Sequence, residues 1–217
     1  MKSYILFLSI TFISFAVQGQ VKIGILAGPQ VTTARYSIQD AKQSTKRKFG
    51  FQLGMNCKVP FDNNLYFAPQ IFYSLKGYKA SFTQYSYPPD VTAVDNNTTI
   101  HTLELAALLE VDFSNKPNHW FFRGGPSLDF QIFGREKFHL LNGNLVNRKM
   151  KYGFAEYGNY AANAMAQIGY EDARGFTVYL NYGFGLTNIS NVDDGPNIRH
   201  RVIGISIGQY FHPKKNK

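Results

Sequence analysis

From Phe49 to Phe61 every second residue is apolar: Phe49, Phe51, Leu53, Met55, Cys57, Val59 and Phe61. Between them and before them stand Lys48, Gly50, Gln52, Gly54, Asn56, Lys58 and Pro60. A strand points successive side chains to opposite faces, so this segment has one wholly apolar face and one polar or glycine face. The unbroken alternation covers the roughly 9–11 residues that a tilted strand needs to cross a bilayer.

The same pattern recurs along the chain. It predicts further strands over Val21–Thr33, Leu65–Lys76, Thr99–Phe113, Trp120–Phe133, Asn159–Tyr170, Phe176–Thr187 and Arg201–Phe211. Leu26 is the exception on the polar face of the first, and alanine weakens the apolar face of Asn159–Tyr170. The connections alternate in length. Ala34–Arg47, Gly77–Asn97, Gly134–Gly158 and Asn188–His200 are long, whereas Pro60–Asn64, Ser114–His119 and Glu171–Gly175 are short turns rich in turn-forming residues. Asn142-Gly143 inside the third long connection suits a hairpin.

An even strand number with this rhythm predicts an all-β fold, an eight-stranded antiparallel transmembrane β-barrel with short periplasmic turns, long outer loops and periplasmic termini. Outward aromatics form two expected girdles, Phe67, Phe113, Trp120, Phe122, Tyr170, Phe176 and Phe211 at the turn end, and Phe49, Phe51, Tyr73, Phe130, Tyr160, Tyr182 and Phe184 toward the loops.

The ends and the composition fit that frame. Lys2 followed by the apolar run Tyr4–Val17 and Val17-Gln18-Gly19 reads as a cleaved signal peptide over residues 1–19, leaving a barrel over 20–217 and a destination in the cell outer membrane. Beyond Gly19 no apolar run is long enough for a helical span. The single cysteine, Cys57, is read as a small apolar side chain on the outward face. Net charge is +9, with basic residues gathered between the alternating runs: Lys42, Lys46, Arg47 and Lys48, then Arg148, Lys149 and Lys151, then Arg199 and Arg201. Nucleic acid would require these on one face among stacking aromatics; in an exported barrel the basic residues are expected to meet outer-membrane lipid phosphate, or simply water, and not nucleic acid.

Several of these segments carry a family likeness. Lys-Ile-Gly-Ile-Leu-Ala-Gly, Phe-Gly-Phe-Gln-Leu-Gly, Leu-Tyr-Phe-Ala-Pro-Gln-Ile-Phe-Tyr-Ser-Leu-Lys-Gly, Leu-Glu-Leu-Ala-Ala-Leu-Leu and the terminal Arg-Val-Ile-Gly-Ile-Ser-Ile-Gly-Gln-Tyr-Phe resemble the PorT-like outer-membrane β-barrel family of Bacteroidota. The resemblance spans essentially the whole mature chain and rests on strand patterns. It implies the fold and the location, and for most such proteins no activity. One member is associated with a secretion system, which keeps open a role beside other outer-membrane or secretion-system proteins. The tail His212–Lys217, beyond the terminal aromatic, departs from barrels that end on one.

Candidate chemistry divides between interior and loops. If the Ser114–His119 turn pairs Phe113 with Trp120, Glu110 faces Arg123 and Glu104 faces Asp129. Two facing carboxylates repel and need a cation, which Lys76 can supply from the neighbouring strand at similar height. This set, Lys76, Glu104, Glu110, Arg123 and Asp129, reads as a structural salt-bridge network, because eight strands leave room only for side chains. The histidines His101, His119, His139, His200 and His212 read as interfacial. His101 has outward parity and Ser127 inward parity, so a serine–histidine pair for lipid deacylation is not expected. No metal site and no cofactor are expected.

In the long connections Tyr78, Phe82, Tyr85, Tyr87, Phe138, Tyr152 and Phe154 are more aromatic than water-exposed loops require, which makes them candidates for packing on one another or on a partner. The expected function is that of a non-enzymatic structural or interaction barrel. The alternatives are an accessory subunit of a secretion or surface-assembly machine and a lipid-modifying enzyme.

Overall fold

The computed structural model describes residues 21–211; the signal peptide expected over 1–19 and the tail 212–217 lie outside them. The long strands are β1 (Lys22–Ile38), followed by the short β2 (Ala41–Lys42) and β3 (Ser44–Lys46), and then β4 (Lys48–Asp62). Next come β5 (Leu65–Phe67), β6 (Gln70–Lys76), β7 (Lys79–Ser81), β8 (Asp95–Ala106) and β9 (Leu109–Asp112). The chain ends with β10 (His119–His139), β11 (Leu145–Lys149), β12 (Tyr160–Glu171), β13 (Phe176–Gly185) and β14 (Asn197–Phe211).

All pairings are antiparallel within one 14-stranded sheet, and β1 pairs with β14 on one side and β4 on the other. The sheet is therefore a closed ring without a long free edge. β5 with β6, and β8 with β9, each continue one another across a short break at Ala68-Pro69 and at Ala107-Leu108. Counted so, eight staves close the ring, and β2, β3, β7 and β11 are additions at one end.

Parity follows the expected pattern along the lower part of every stave. On β4, Phe49, Phe51, Leu53, Met55 and Phe61 are exposed, while Gln52, Asn56 and Lys58 are buried inside. The outward face is consequently an apolar belt and the inward face a polar core, the reverse of a water-soluble protein. Aromatic pairs rim the belt: Trp120 meets Tyr170 at a centroid distance of 5.6 Å at the turn end, and Phe130 meets Tyr160 at 5.5 Å and Phe51 meets Tyr73 at 5.6 Å at the other. Leu26, the exception in the sequence, is buried inside with Ala68, Phe72, Ala106, Leu108 and Met165.

The structure corrects the long connections. β1 runs on to Ile38, β10 has 21 residues and reaches His139, β8 begins at Asp95, and β14 begins at Asn197. Ala34–Arg47 is thus largely strand and Gly134–Gly158 about half, while Gly77–Asn97 is strand only near its ends and Asn188–His200 only from Asn197. The alternation continues in these extensions, but with its polarity inverted. On β1, Ala34, Tyr36 and Ile38 point inward where Gln30 and Thr32 did lower down, and Arg35 takes the outward parity. A wall that leaves lipid for water needs polar residues outside and apolar residues within. A bulge between Gln131 and Phe133 also resets β10, so that Phe133 faces out.

Candidate functional site

Inside the ring the staves bring together two charged clusters. At the turn end, Lys58 of β4 reaches Glu110 Oε1 at 2.6 Å, Asp112 Oδ2 at 2.7 Å and Glu171 Oε2 at 3.0 Å. Arg123 donates from Nε to Glu110, from one terminal nitrogen to Gln167 Oε1 at 3.3 Å and from the other to Tyr210 Oη at 3.1 Å. Lys22 bridges to Glu171 Oε1 at 2.6 Å, and His119 Nε2 lies 3.1 Å from Asp112 Oδ2. A cleft of about 270 Å³ opens beside this cluster between Lys22, Tyr66, Asp112, His119 and Glu171.

Higher in the lumen, Lys76 Nζ stands 2.7 Å from Glu104 Oε2 and 2.8 Å from Asp129 Oδ1. Ser127 Oγ donates to Glu104 Oε1 at 2.5 Å. The register that assembles this trio sets Asp129 opposite Glu104 and Arg123 opposite Glu110, and Phe113 N donates to Trp120 O at 2.9 Å. All five residues named from the sequence are buried in the lumen. Buried charges persist only when paired and hydrogen-bonded, and here Lys58, Lys76 and Arg123 each serve two or more acceptors.

The lumen is closed by its own side chains. The cavity beside Lys76 is about 10 Å³, room for about one water. A Cβ on Gly24 would stand 2.7 Å from Asn56 Oδ1 and 2.9 Å from Tyr210 Cδ1. Ser127 lies inside, while His101 stands on the outer face, stacked on Phe133 at 3.7 Å and hydrogen-bonded to Tyr73, so serine and histidine are on opposite sides of the wall. Its neighbours on the outer face are Tyr73 and Phe133.

Residues 15–191 match the family described as outer membrane protein beta-barrel domain. The chain belongs to this family. The barrel is therefore an outer-membrane protein, and its apolar belt is the lipid-facing wall. Among solved structures it is similar to OprG from Pseudomonas aeruginosa, at 13% identity over 91% of this chain and 100% of that one, with a TM-score of 0.49. It is also similar to Ail of Yersinia pestis, solved with the heparin analogue sucrose octasulfate, at 14% identity over 89% of this chain and 100% of that one, with a TM-score of 0.45. Neisserial surface protein A gives 13% identity over 89% of this chain and 100% of that one, with a TM-score of 0.42. No curated protein matches the chain.

The mouth of the barrel at the loop end is sealed by an apolar cluster of Ala34, Tyr36, Ile38, Tyr78, Ala80, Ile100, Met150, Tyr157, Ala161, Ile189 and Ile198. Two connections are tied together over it: Val94 N donates to His139 O and Leu141 N to Thr92 O, each at 2.9 Å. Tyr36 Oη donates to Pro88 O at 3.0 Å, and Tyr157 Oη donates to Glu136 Oε2 at 2.9 Å while Arg148 Nε holds Oε1 at 2.7 Å. Tyr87 donates to Glu156; burial, then that bond, pushes its phenol up to about 12. Bonds from the backbone and hydroxyl of Thr92 hold Asp90 below the usual carboxylate range.

The seven loop aromatics divide accordingly. Tyr78 and Phe138 are buried, as the first of the two alternatives has it: Tyr78 is part of the cap and Phe138 lies under the Arg148 guanidinium. Phe82 and Tyr152 pack against the cap, and Tyr87 is half-buried. Only Tyr85 and Phe154 are exposed, at 47% and 90%. The histidines are corrected too: His119 and His200 are interior, not interfacial. Sequence reasoning missed Lys58, Glu171, Lys22 and His119 as one cluster. The alternation gives Lys22 and Lys58 inward parity, whereas Glu171 reads as the start of a turn, although it continues the inward series of β12.

Proposed function

We propose that this protein is a non-catalytic, plugged outer-membrane barrel that acts through its outer surface, with its turns in the periplasm and its strand extensions outside the cell. The observation that carries the reading is the closed lumen: paired charges fill the staves and an apolar cluster caps the loop-end mouth, which leaves no path for solute. Ser127 and His101 on opposite faces of the wall weigh against the lipid-modifying alternative.

An accessory role in a secretion or surface-assembly machine is the second reading. The PorT-like resemblance supports it, and so does Phe154, a large aromatic left 90% exposed at the loop end. The test is a mild-detergent pull-down of tagged protein from native outer membrane, beside Phe154→Ser, with single-channel recording on the same preparation. Silent bilayers and a partner at near-equal amount, lost in the variant, are expected of a complex subunit. Silent bilayers with lipid alone in both samples favour a stand-alone barrel, and a steady large conductance would overturn the plugged reading.

A further inference from the structure

The strand extensions at the loop end assemble a row of cations that, among the described residues, form no ion pair. In the β3–β7–β8–β10–β11 wall, Lys46 lies directly opposite Lys79, Lys79 opposite Asn97, and Asn97 opposite Lys137. One row nearer the belt, Thr99 faces Arg135 and Arg135 faces Lys149. Lys46, Lys79, Arg135, Lys137 and Lys149 are exposed on the outer face, and among the described residues none has a carboxylate within 4.0 Å. Lys48 adds a sixth cation, held by Asn97 Oδ1 and Thr99 Oγ1 at 2.8 Å each. Asp95, on the same wall, is engaged by His139 Nδ1 at 2.9 Å.

Like charges directly opposite on neighbouring strands repel, so an arrangement of this kind is stabilised by an anion. A cleft of about 360 Å³ lies among Lys46, Lys79, Asp95, Asn97, Lys137 and His139, within the roughly 300–1,000 Å³ typical of ligand sites; its one carboxylate, Asp95, is the one held by His139.

The chemistry of the anion follows from what lies below. Along β8 the outward residues run Leu105, Leu103, His101, Thr99 and Asn97; along β10 they run Leu128, Phe130, Phe133, Arg135 and Lys137. Each strand thus passes from aliphatic to aromatic to basic or polar on one face. That order matches the acyl chains, interface and headgroup of a lipid standing against the wall.

We propose that this face binds a phosphate-bearing lipid headgroup of the leaflet at the loop end, with Lys79 and Lys137 on either side of Asn97 as the principal phosphate ligands. The proposal rests on the outer-membrane reading above and adds a ligand and a site to it. The test uses the full mature chain folded in phosphatidylcholine nanodiscs doped with either a phosphorylated lipid A or phosphatidylglycerol, read by native mass spectrometry. The parent, Lys79→Gln/Lys137→Gln, Arg135→Gln and the turn-end control Arg174→Gln are compared.

The parent is expected to retain a phosphorylated lipid, the double variant to bind it about thirtyfold more weakly, as two cations at a headgroup surface imply. Arg135→Gln should fall between, and Arg174→Gln should match the parent. Preference for lipid A over phosphatidylglycerol, or the reverse, identifies which headgroup supplies the phosphate. Equal retention by parent and double variant, or no retention above phosphatidylcholine, overturns the proposal. The folded state is followed by heat-shifted mobility on gels; a folded barrel that retains no lipid refutes this site while leaving the plugged-barrel reading intact.

Discussion

Lys76 has to neutralise two carboxylates at once, and the register of β8 and β10 makes that unavoidable because Glu104 and Asp129 are directly opposed. Replacing it with methionine leaves buried negative charge facing buried negative charge. Lys76→Met is expected to destabilise the barrel by about 3–5 kcal/mol, measured as the shift in urea-dependent loss of the folded gel band. Adding Glu104→Gln and Asp129→Asn should recover most of the loss; a single variant with unchanged stability would show that the trio is not formed. These partners were legible in the sequence, since parity and one short turn sufficed to align them. Lys58 was not, because its ligands come from β9 and β12, and only ring closure brings β12 across the lumen.

At the scale of the element, the hairpin joining β10 to β11 turns at Asn142-Gly143, as the sequence suggested. Gly143 has φ 83°, Gly143 N donates to Leu140 O at 2.8 Å, and Asn142 Oδ1 accepts from Asn144 N at 3.0 Å. Nothing lies within 4 Å of the position a Cβ would take, so the penalty for a side chain is that of the left-handed backbone alone. Gly143→Val should cost the hairpin about 1–2 kcal/mol. Limited proteolysis should then cut near residue 143 faster while the folded fraction of the barrel stays the same. Loss of the whole barrel in this variant would mean that the hairpin nucleates the cap rather than decorating it. The bulge at Gln131–Phe133 was invisible in the sequence, because one extra residue within a run of apolar side chains leaves both phases equally hydrophobic.

The whole molecule is divided by depth. Its lower part has an apolar exterior and a charged, filled lumen, and its upper part has a charged exterior and an apolar lumen. A cation placed at mid-belt should therefore cost far more than one at the rim. Met55→Arg is expected to destabilise by about 2–4 kcal/mol and Phe49→Arg by about 0–1 kcal/mol, compared by urea unfolding in the same lipid. Equal costs would mean that the belt does not span the bilayer at the depth its aromatic rims mark.

The sequence by itself determined the belt. Period-two alternation against lipid is unambiguous because each outward position must be apolar, and each strand carries that signal locally. It also determined which carboxylates oppose one another across the Ser114–His119 turn. Tertiary structure decided the upper third. There the outward template inverts, so Ala34, Tyr36 and Ile38, or Arg135 and Lys137, look like polar connections with stray apolar residues until the ring shows which side is wet. It alone decided that Tyr78 joins a cap and Phe138 is buried, that Lys58 meets Glu171, and that Lys46, Lys79 and Lys137 share one face. Each of these depends on strands distant in the chain, and burial on a closed wall is settled only when the wall has closed.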